Sequence, residues 1–315
     1  MLAGSSLLAG TALAQDKYPS QVVRIIDGYV AGGGTDALAR YLASKAGPAL
    51  GTNVVVENRP GASGQIAMAQ VAKSKPDGYT LMVIPNELWS VAPLLYKQLP
   101  YNVDKEFVPV AALAELPMVF TVSSRVTAKD IRDLAAQAKQ APNRISFGSA
   151  GPGTIHHLSG ELFNNIAGVQ MLHVPYRGTA AAVNDLLAGQ IDVVISPITA
   201  VLPHIRAGKL RAFGVAGPRR VNSLPDVPTL EESGFKGAVS GLWVLLVGPA
   251  GMPAEVSNTW VAQARSVLFT EDARNVFGSQ GVEPISLGQA EMRQRIAEDT
   301  RRWARLIEAA RITVT

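Results

Sequence analysis

Two glycine-rich turns hold the residues best suited to chemistry in this 315-residue chain. The first is Gly32-Gly33-Gly34, followed by Thr35 and Asp36 and preceded by Tyr29. It stands between an apolar, strand-like stretch (Val22 to Ile26) and a helical one (Asp36 to Leu50). Without Cβ atoms in the way, the backbone N–H groups of such a turn point outward. The helix that follows adds its unpaired first-turn N–H groups and partial positive charge. Together these make a seat for a carboxylate or phosphate. The second turn, Gly148-Ser149-Ala150-Gly151-Pro152-Gly153-Thr154, repeats the arrangement, with hydroxyls at Ser149 and Thr154. Facing each other across a cleft, the two turns would hold an anion from both sides.

The alternatives for this chemistry are few. No Gly-Lys-Ser/Thr follows the first turn, which excludes a Walker loop, and the dinucleotide spacing G-x-G-x-x-G is absent. There is no Gly-x-Ser-x-Gly elbow. With no cysteine in the chain, thiolate catalysis, disulfides and zinc–thiolate sites are excluded. His156 and His157 are adjacent on a helix and point about 100° apart, a poor chelating pair; no metal or other cofactor is implied. His157 either orients the second turn or is a satisfied structural histidine. Asp192, inside an apolar strand, must have polar partners and reads as a residue fixing loops or waters beside the cleft. Val174 to Thr179 is a strand–turn–helix junction where Tyr176 packs on a ligand and Arg177 attracts anions, or both serve packing. Asn86 and Trp89 follow a central apolar strand and are candidates for the cleft wall.

Strand and helix patterns alternate for most of the length: strands at 22–26, 53–57 and 80–84 with helices at 36–50 and 65–73, then a similar unit from 129 to 215. Val108 to Ser123 holds two apolar stretches separated by Pro117, and the C-terminal part is helical and charged from Pro253 onward. This order implies α/β architecture with mainly parallel sheets covered by helices. Hydrophobic residues at 47% and charged residues at 17% fit a globular chain with a substantial core. The formal net charge of +4 comes without a basic run or basic–aromatic stripe, so nucleic acid is not an expected partner. Residues 1–14 are small and apolar and end in the A-x-A pattern Ala12-Leu13-Ala14, an export signal lacking its basic start and so a remnant of one. After Ala14 no apolar run reaches the ~18 residues needed to span a bilayer.

Several stretches together are specific. Ala31-Gly32-Gly33-Gly34-Thr35-Asp36, Val56 to Gly64 (VENRPGASG), Pro76-Asp77-Gly78-Tyr79-Thr80-Leu81, Leu99-Pro100-Tyr101, Val174-Pro175-Tyr176-Arg177-Gly178-Thr179, Leu187 to Asp192 (LAGQID) and Pro225 to Leu230 (PDVPTL) occur in order and with suitable spacing. In these the chain resembles the solute-binding receptors of tripartite tricarboxylate transporters, the Bug family of extracytoplasmic binding proteins. The resemblance implies a type II-like periplasmic binding protein fold: two α/β lobes joined by two crossover strands, with a ligand cleft between them. It implies lobe 1 at 16–117 plus 243–315 and lobe 2 at 118–242. It also implies a periplasmic, monomeric protein without catalysis or cofactor, whose partners are a small carboxylate and integral membrane transporter subunits. The ligand carboxylate would be held by Gly32 to Asp36 and by Ser149, Gly153 and Thr154.

Three departures lie near the expected cleft. Asp27-Gly28 stands where the family has an apolar residue and a proline. Ser196 stands where it often has Asp, and Pro85-Asn86-Glu87-Leu88-Trp89 replaces a Ser/Thr-rich stretch. Trp89 suggests an aromatic acid or a diacid of phthalate type, and the loss of Asp at 196 argues against amino acids. Two further readings remain: a carboxylate sensor for a signalling partner, and a periplasmic hydrolase.

Overall fold

The computed structural model describes residues 18–314; the expected leader, residues 1–14, lies outside them. The strands are β1 (Val23–Asp27), β2 (Val54–Asn58), β3 (Thr80–Pro85), β4 (Phe107–Ser123), β5 (Ser146–Ser149), β6 (Leu172–Pro175), β7 (Val193–Pro197), β8 (Leu210–Val215), β9 (Gly241–Pro249) and β10 (Glu283–Pro284). The helices are α1 (Gly34–Leu50), α2 (Gln65–Ala72), α3 (Glu87–Ser90), α4 (Ala92–Leu95), α5 (Val103–Glu106), α6 (Ile131–Gln140), α7 (Ile155–Ala167), α8 (Thr179–Leu187), α9 (Ile198–Arg206), α10 (Ala254–Leu268), α11 (Glu271–Ala273) and α12 (Gln289–Ala309).

Strand β4 organises everything else. The expected break at Pro117 is not there: one 17-residue strand runs through it. Its first part pairs with β9 from Phe107 to Pro117 and with β10, within a sheet ordered β2-β1-β3-β9-β4. Its second part pairs with β7 from Met118 and with β8 from Val119, within a sheet that continues β7-β5-β6. Proline lacks a ladder N–H and is confined to edges and irregular positions. Pro117 sits where the partners change, so its missing donor interrupts neither ladder. A second crossing is made by the chain between β8 and β9, where Ala216 N–H bonds to Met118 O and Ser240 N–H to Ala216 O.

In each half the strands β1, β2, β3 and β5, β6, β7 pair in parallel. β3 and β7 are buried along their whole length, as strands with helices on both faces must be. The two halves are therefore α/β units of the same build, as the alternating pattern implies. Helix α12 returns across the molecule. Its buried residues Met292, Ile296, Asp299, Trp303 and Leu306 recur every three or four positions, forming one stripe, and it packs on β4, α3 and α7. Among the described residues no helix is long and apolar enough to cross a membrane.

Helix α7, whose N-terminus belongs to the second glycine turn, lies close on β5 through Gly160. A Cβ at Gly160 would stand 2.2 Å from the Phe147 ring. Overpacking of that kind costs about 1–3 kcal/mol, against a helix-propensity gain of at most about 1 kcal/mol. Gly160→Ala is thus expected to lower the urea midpoint of unfolding at unchanged slope; an unchanged or higher midpoint would show that α7 can shift without loss.

Candidate functional site

The carboxyl ends of β1 and β3 in one sheet and of β5 and β7 in the other meet at the expected cleft, where Glu87 bonds to Ile155 and Leu95 stands against Gly153; carboxyl ends are the usual place for ligands in open α/β sheets. Four chain segments leave those ends: Gly28 to Gly33, Asn86-Glu87, Ala150 to Thr154, and Pro197.

The first glycine turn is shaped by its own acid. Gly32 has φ +88°, a left-handed conformation that favours glycine, and its N–H donates to Asp36 Oδ2 at 2.8 Å. Asp36 also receives Arg40 Nε at 2.9 Å and Asn58 Nδ2 at 2.9 Å. Burial pushes its carboxyl up, but these three donors more than offset that and hold it below the usual carboxylate range. Asp36 is therefore spent inside the turn. Gly33 caps α1 without a side-chain partner. Among the described residues the N–H groups of Gly33, Gly34 and Thr35 donate to no acceptor. The Thr35 hydroxyl turns back to Asp27, 3.1 Å and 3.2 Å from its two carboxyl oxygens. Leu116, from the cleft side of β4, stands against Gly34, where an added Cβ would be 2.8 Å from it.

Two further carboxyls lie here, and both fall at departures noted in the sequence. Asp27, fully buried at the end of β1, accepts Tyr29 N–H at 3.2 Å in addition to Thr35. Burial pushes it up to about 7. Glu87, the first residue of α3, is buried too, and burial likewise lifts it to about 7. Its Oε2 accepts the N–H of Ile155, the first residue of α7, at 2.7 Å. A side chain of the first sheet's half thereby fills the helix N-terminus of the second. The Tyr29 hydroxyl lies 3.4 Å from Glu87 Oε1 and 3.3 Å from Ser63 O, with one proton to share between them. Nothing in residue spacing singled out Glu87; its signal was only the unusual Pro85 to Trp89 stretch.

The second turn is closed by internal bonds. Thr154 Oγ1 donates to Gly151 O at 2.7 Å and accepts His157 N–H at 3.5 Å, so its hydroxyl is an N-cap. His157 Nδ1 accepts Gly153 N–H at 3.2 Å, orienting the turn. Ser149 Oγ lies 2.7 Å from His173 Nε2 and accepts Gly151 N–H at 3.1 Å. The rings of His157 and His173 stack at 3.9 Å. Burial lowers His157 to about 3 and His173 to about 4, so both are neutral near pH 7. The Ser149–His173 contact resembles a nucleophile–base pair, but Ser149 is fully buried. Among the described residues no carboxylate bonds to His173, and the pair serves the turn.

Other candidates lie elsewhere. Trp89 is buried among apolar side chains and meets Phe107 edge-on at 6.5 Å, so it forms core rather than cleft wall. Asn86 turns its amide to Asp299 of α12 at 3.2 Å. Tyr176 donates to Asp185 of α8 at 2.7 Å. Asp192 clasps the amino end of β5 through Ser146 N and Oγ, at the opposite end of the strands from the turn. Arg177 is exposed, and Ser196 is buried at the end of β7 beside Val119. A cavity of about 280 Å³ lies along the crossing strands, lined by Glu115, Leu116, Pro117, Trp243, Arg295 and Arg302. Its arginines already pair with Glu115 and Asp299.

The family model of the tripartite tricarboxylate transporter family receptor matches residues 38–312. BugT of Bordetella pertussis is 33% identical over 94% of this chain and 91% of its own. The solved periplasmic binding protein BugD is 34% identical, covers 94% of this chain and 99% of its own, and superposes with a TM-score of 0.84. R. palustris Rpa4515 with adipate is 29% identical over 94% of this chain and 99% of its own, TM-score 0.87. MatC of Rhodopseudomonas palustris with bound malate is 30% identical over 92% and 100%, TM-score 0.83. The neighbours share the periplasmic binding protein fold.

Asp27 gives a measurable signature. Between its usual 3.8 and the folded value of about 7, the folded protein binds more protons than the unfolded chain. Its contribution is therefore fully present near pH 4 and lost as pH rises to about 7. Relative to Asp27→Asn, the wild-type protein is expected to lose about 3 kcal/mol of stability between pH 5 and pH 8, measured by urea titration at each pH. A pH-independent difference would mean that Asp27 is ionised throughout.

Proposed function

Because the chain belongs to the tripartite tricarboxylate transporter receptor family, we propose that it is a periplasmic, monomeric solute-binding protein. In this reading it captures a small carboxylate between its two halves and delivers it to integral membrane subunits of a transporter. The halves act as lobes divided where β4 changes partners, residues 118–242 forming the second. The observation that carries the reading is the set of unpaired N–H groups of Gly33, Gly34 and Thr35 at the start of α1, inside the cleft. Three convergent backbone donors at a helix N-terminus suit a carboxylate oxygen. Adipate and malate in the structural neighbours support the same ligand class. Binding that draws on both lobes favours the closed arrangement over the open one by the contacts made only when closed. With Trp89 in the core, an aromatic ligand wall has no support.

Calorimetry of the wild-type protein against a panel of small mono- and dicarboxylic acids tests the class directly. Gly33→Val tests the seat. Gly33 has φ −76° and a Cβ there would meet only Val30 O at 3.7 Å, so the fold tolerates a side chain. Its branches cover the neighbouring amides. The variant is expected to keep its melting temperature and lose at least tenfold in affinity for whichever acid binds; retained affinity would move the carboxylate away from α1.

A further inference from the structure

The cleft has two helix N-termini, and they differ in state. At α1 the first-turn amides are unpaired, whereas at α7 the Ile155 N–H is taken by Glu87 Oε2 at 2.7 Å. Glu87 reaches it from the opposite half of the molecule, 68 positions away in sequence. The second anion seat, which the sequence equips for a ligand, is filled by the protein's own carboxylate.

Glu87 already holds the Ile155 N–H and faces the Tyr29 hydroxyl, whose other neighbour, Ser63 O, is an acceptor. Asp27 lies at the other end of Tyr29, whose N–H bonds to Asp27 and whose hydroxyl approaches Glu87. Among the described residues neither acid forms an ion pair; Arg40, the cation nearest the first turn, is held by Asp36. Above about pH 7, where both acids ionise, a second ligand carboxylate brought here would meet buried like charge, with the Tyr29 hydroxyl already shared between Glu87 and Ser63 O, which disfavours it. A hydrogen-bond donor would meet acceptors already in place. Rejection of one class by a fixed unpaired charge is a common source of selectivity.

We propose that Glu87 is the specificity-determining residue of the cleft. By occupying the α7 N-terminus it excludes a second ligand carboxylate, and with Asp27 it selects ligands that carry one carboxylate and a hydrogen-bond-donating, uncharged far end such as an amide. This rests on the carboxylate-receptor reading above. It departs from the expectation of a diacid, and it makes this chain differ from neighbours whose structures hold adipate and malate.

The test compares matched pairs: succinate with its mono-amide, and adipate with its mono-amide, titrated calorimetrically into wild type, Glu87→Gln and Glu87→Ala at pH 8. Glu87→Gln keeps the shape and the acceptor for Ile155 while removing the charge, and thermal unfolding of each variant establishes that it is folded. The expected result is that wild type binds a mono-amide at least tenfold more tightly than its diacid. In Glu87→Gln the gap narrows, and in Glu87→Ala, with the α7 seat open, the diacid gains at least tenfold. Equal or tighter binding of the diacid by wild type overturns the proposal, as does a mono-amide preference that both variants retain. If wild type binds neither member of either pair while other monocarboxylates bind, the selection of an uncharged amide end is overturned and the receptor reading stands. If no carboxylate binds at all, the receptor reading falls and the proposal with it.

Discussion

The structure depends on one strand serving two sheets. β4 is a single hydrogen-bonded ribbon from Phe107 to Ser123, yet its neighbours are β9 and β10 along one part and β7 and β8 along the other. Successive side chains of a strand point to opposite faces, so the crossing segment has two different sides. Leu116 faces the cleft and stands against Gly34. By that alternation Glu115 and Pro117 face the other side; Arg295 pairs with Glu115 and lies 4.6 Å over the Trp243 ring. The cleft side is lined by apolar surface and backbone donors, and the far side by paired charges braced on α12. A crossing strand of this kind keeps its charged groups paired on the side away from the first glycine turn.

The same logic governs the glycine turns. A turn rich in outward N–H groups is an anion seat, and an empty seat near a buried carboxyl is costly to leave unmatched. This chain fills most of its seats itself. Asp36 takes the Gly32 amide, Thr154 and His157 close the second turn, and Glu87 takes the α7 terminus. What is left open is the start of α1. A receptor gains selectivity when only a few of its donors remain free, because a ligand must then match those positions and avoid the internal acids beside them.

Much of this was legible from residue order, and the limits follow from range. Strand and helix segments such as 80–84 and 155–167 declare themselves through local periodicity and flanking turn residues, which need no knowledge of distant partners. The continuity of β4 through Pro117 was hidden because a proline reads locally as an interruption; only the change of strand partners makes it harmless. Trp89 and Asn86 follow an apolar strand, and sequence cannot distinguish a residue leaving that strand toward the cleft from one turning to Phe107 or Asp299. His157 was legible in its role of orienting the second turn because its partner Gly153 is four residues away. Glu87 was not, because its partner, Ile155 at the start of α7, lies in the other half of the molecule.

The Glu87–Ile155 contact also bears on how the two halves stay together. It joins the ends of α3 and α7 in a region where Leu95 and Gly153 also approach. A ligand can shift a two-state equilibrium only by the difference between its affinities for the two states. If the closed arrangement already contains a charge-assisted bond across the cleft, part of the closing free energy is supplied by the protein and less is required of the ligand. The cost is carried by burial of the carboxyl, visible in the upward shift of Glu87 to about 7. On the proposed reading, internal contact and ligand contact would act on the same equilibrium, and a side chain that selected the ligand would also set how far the halves close without it.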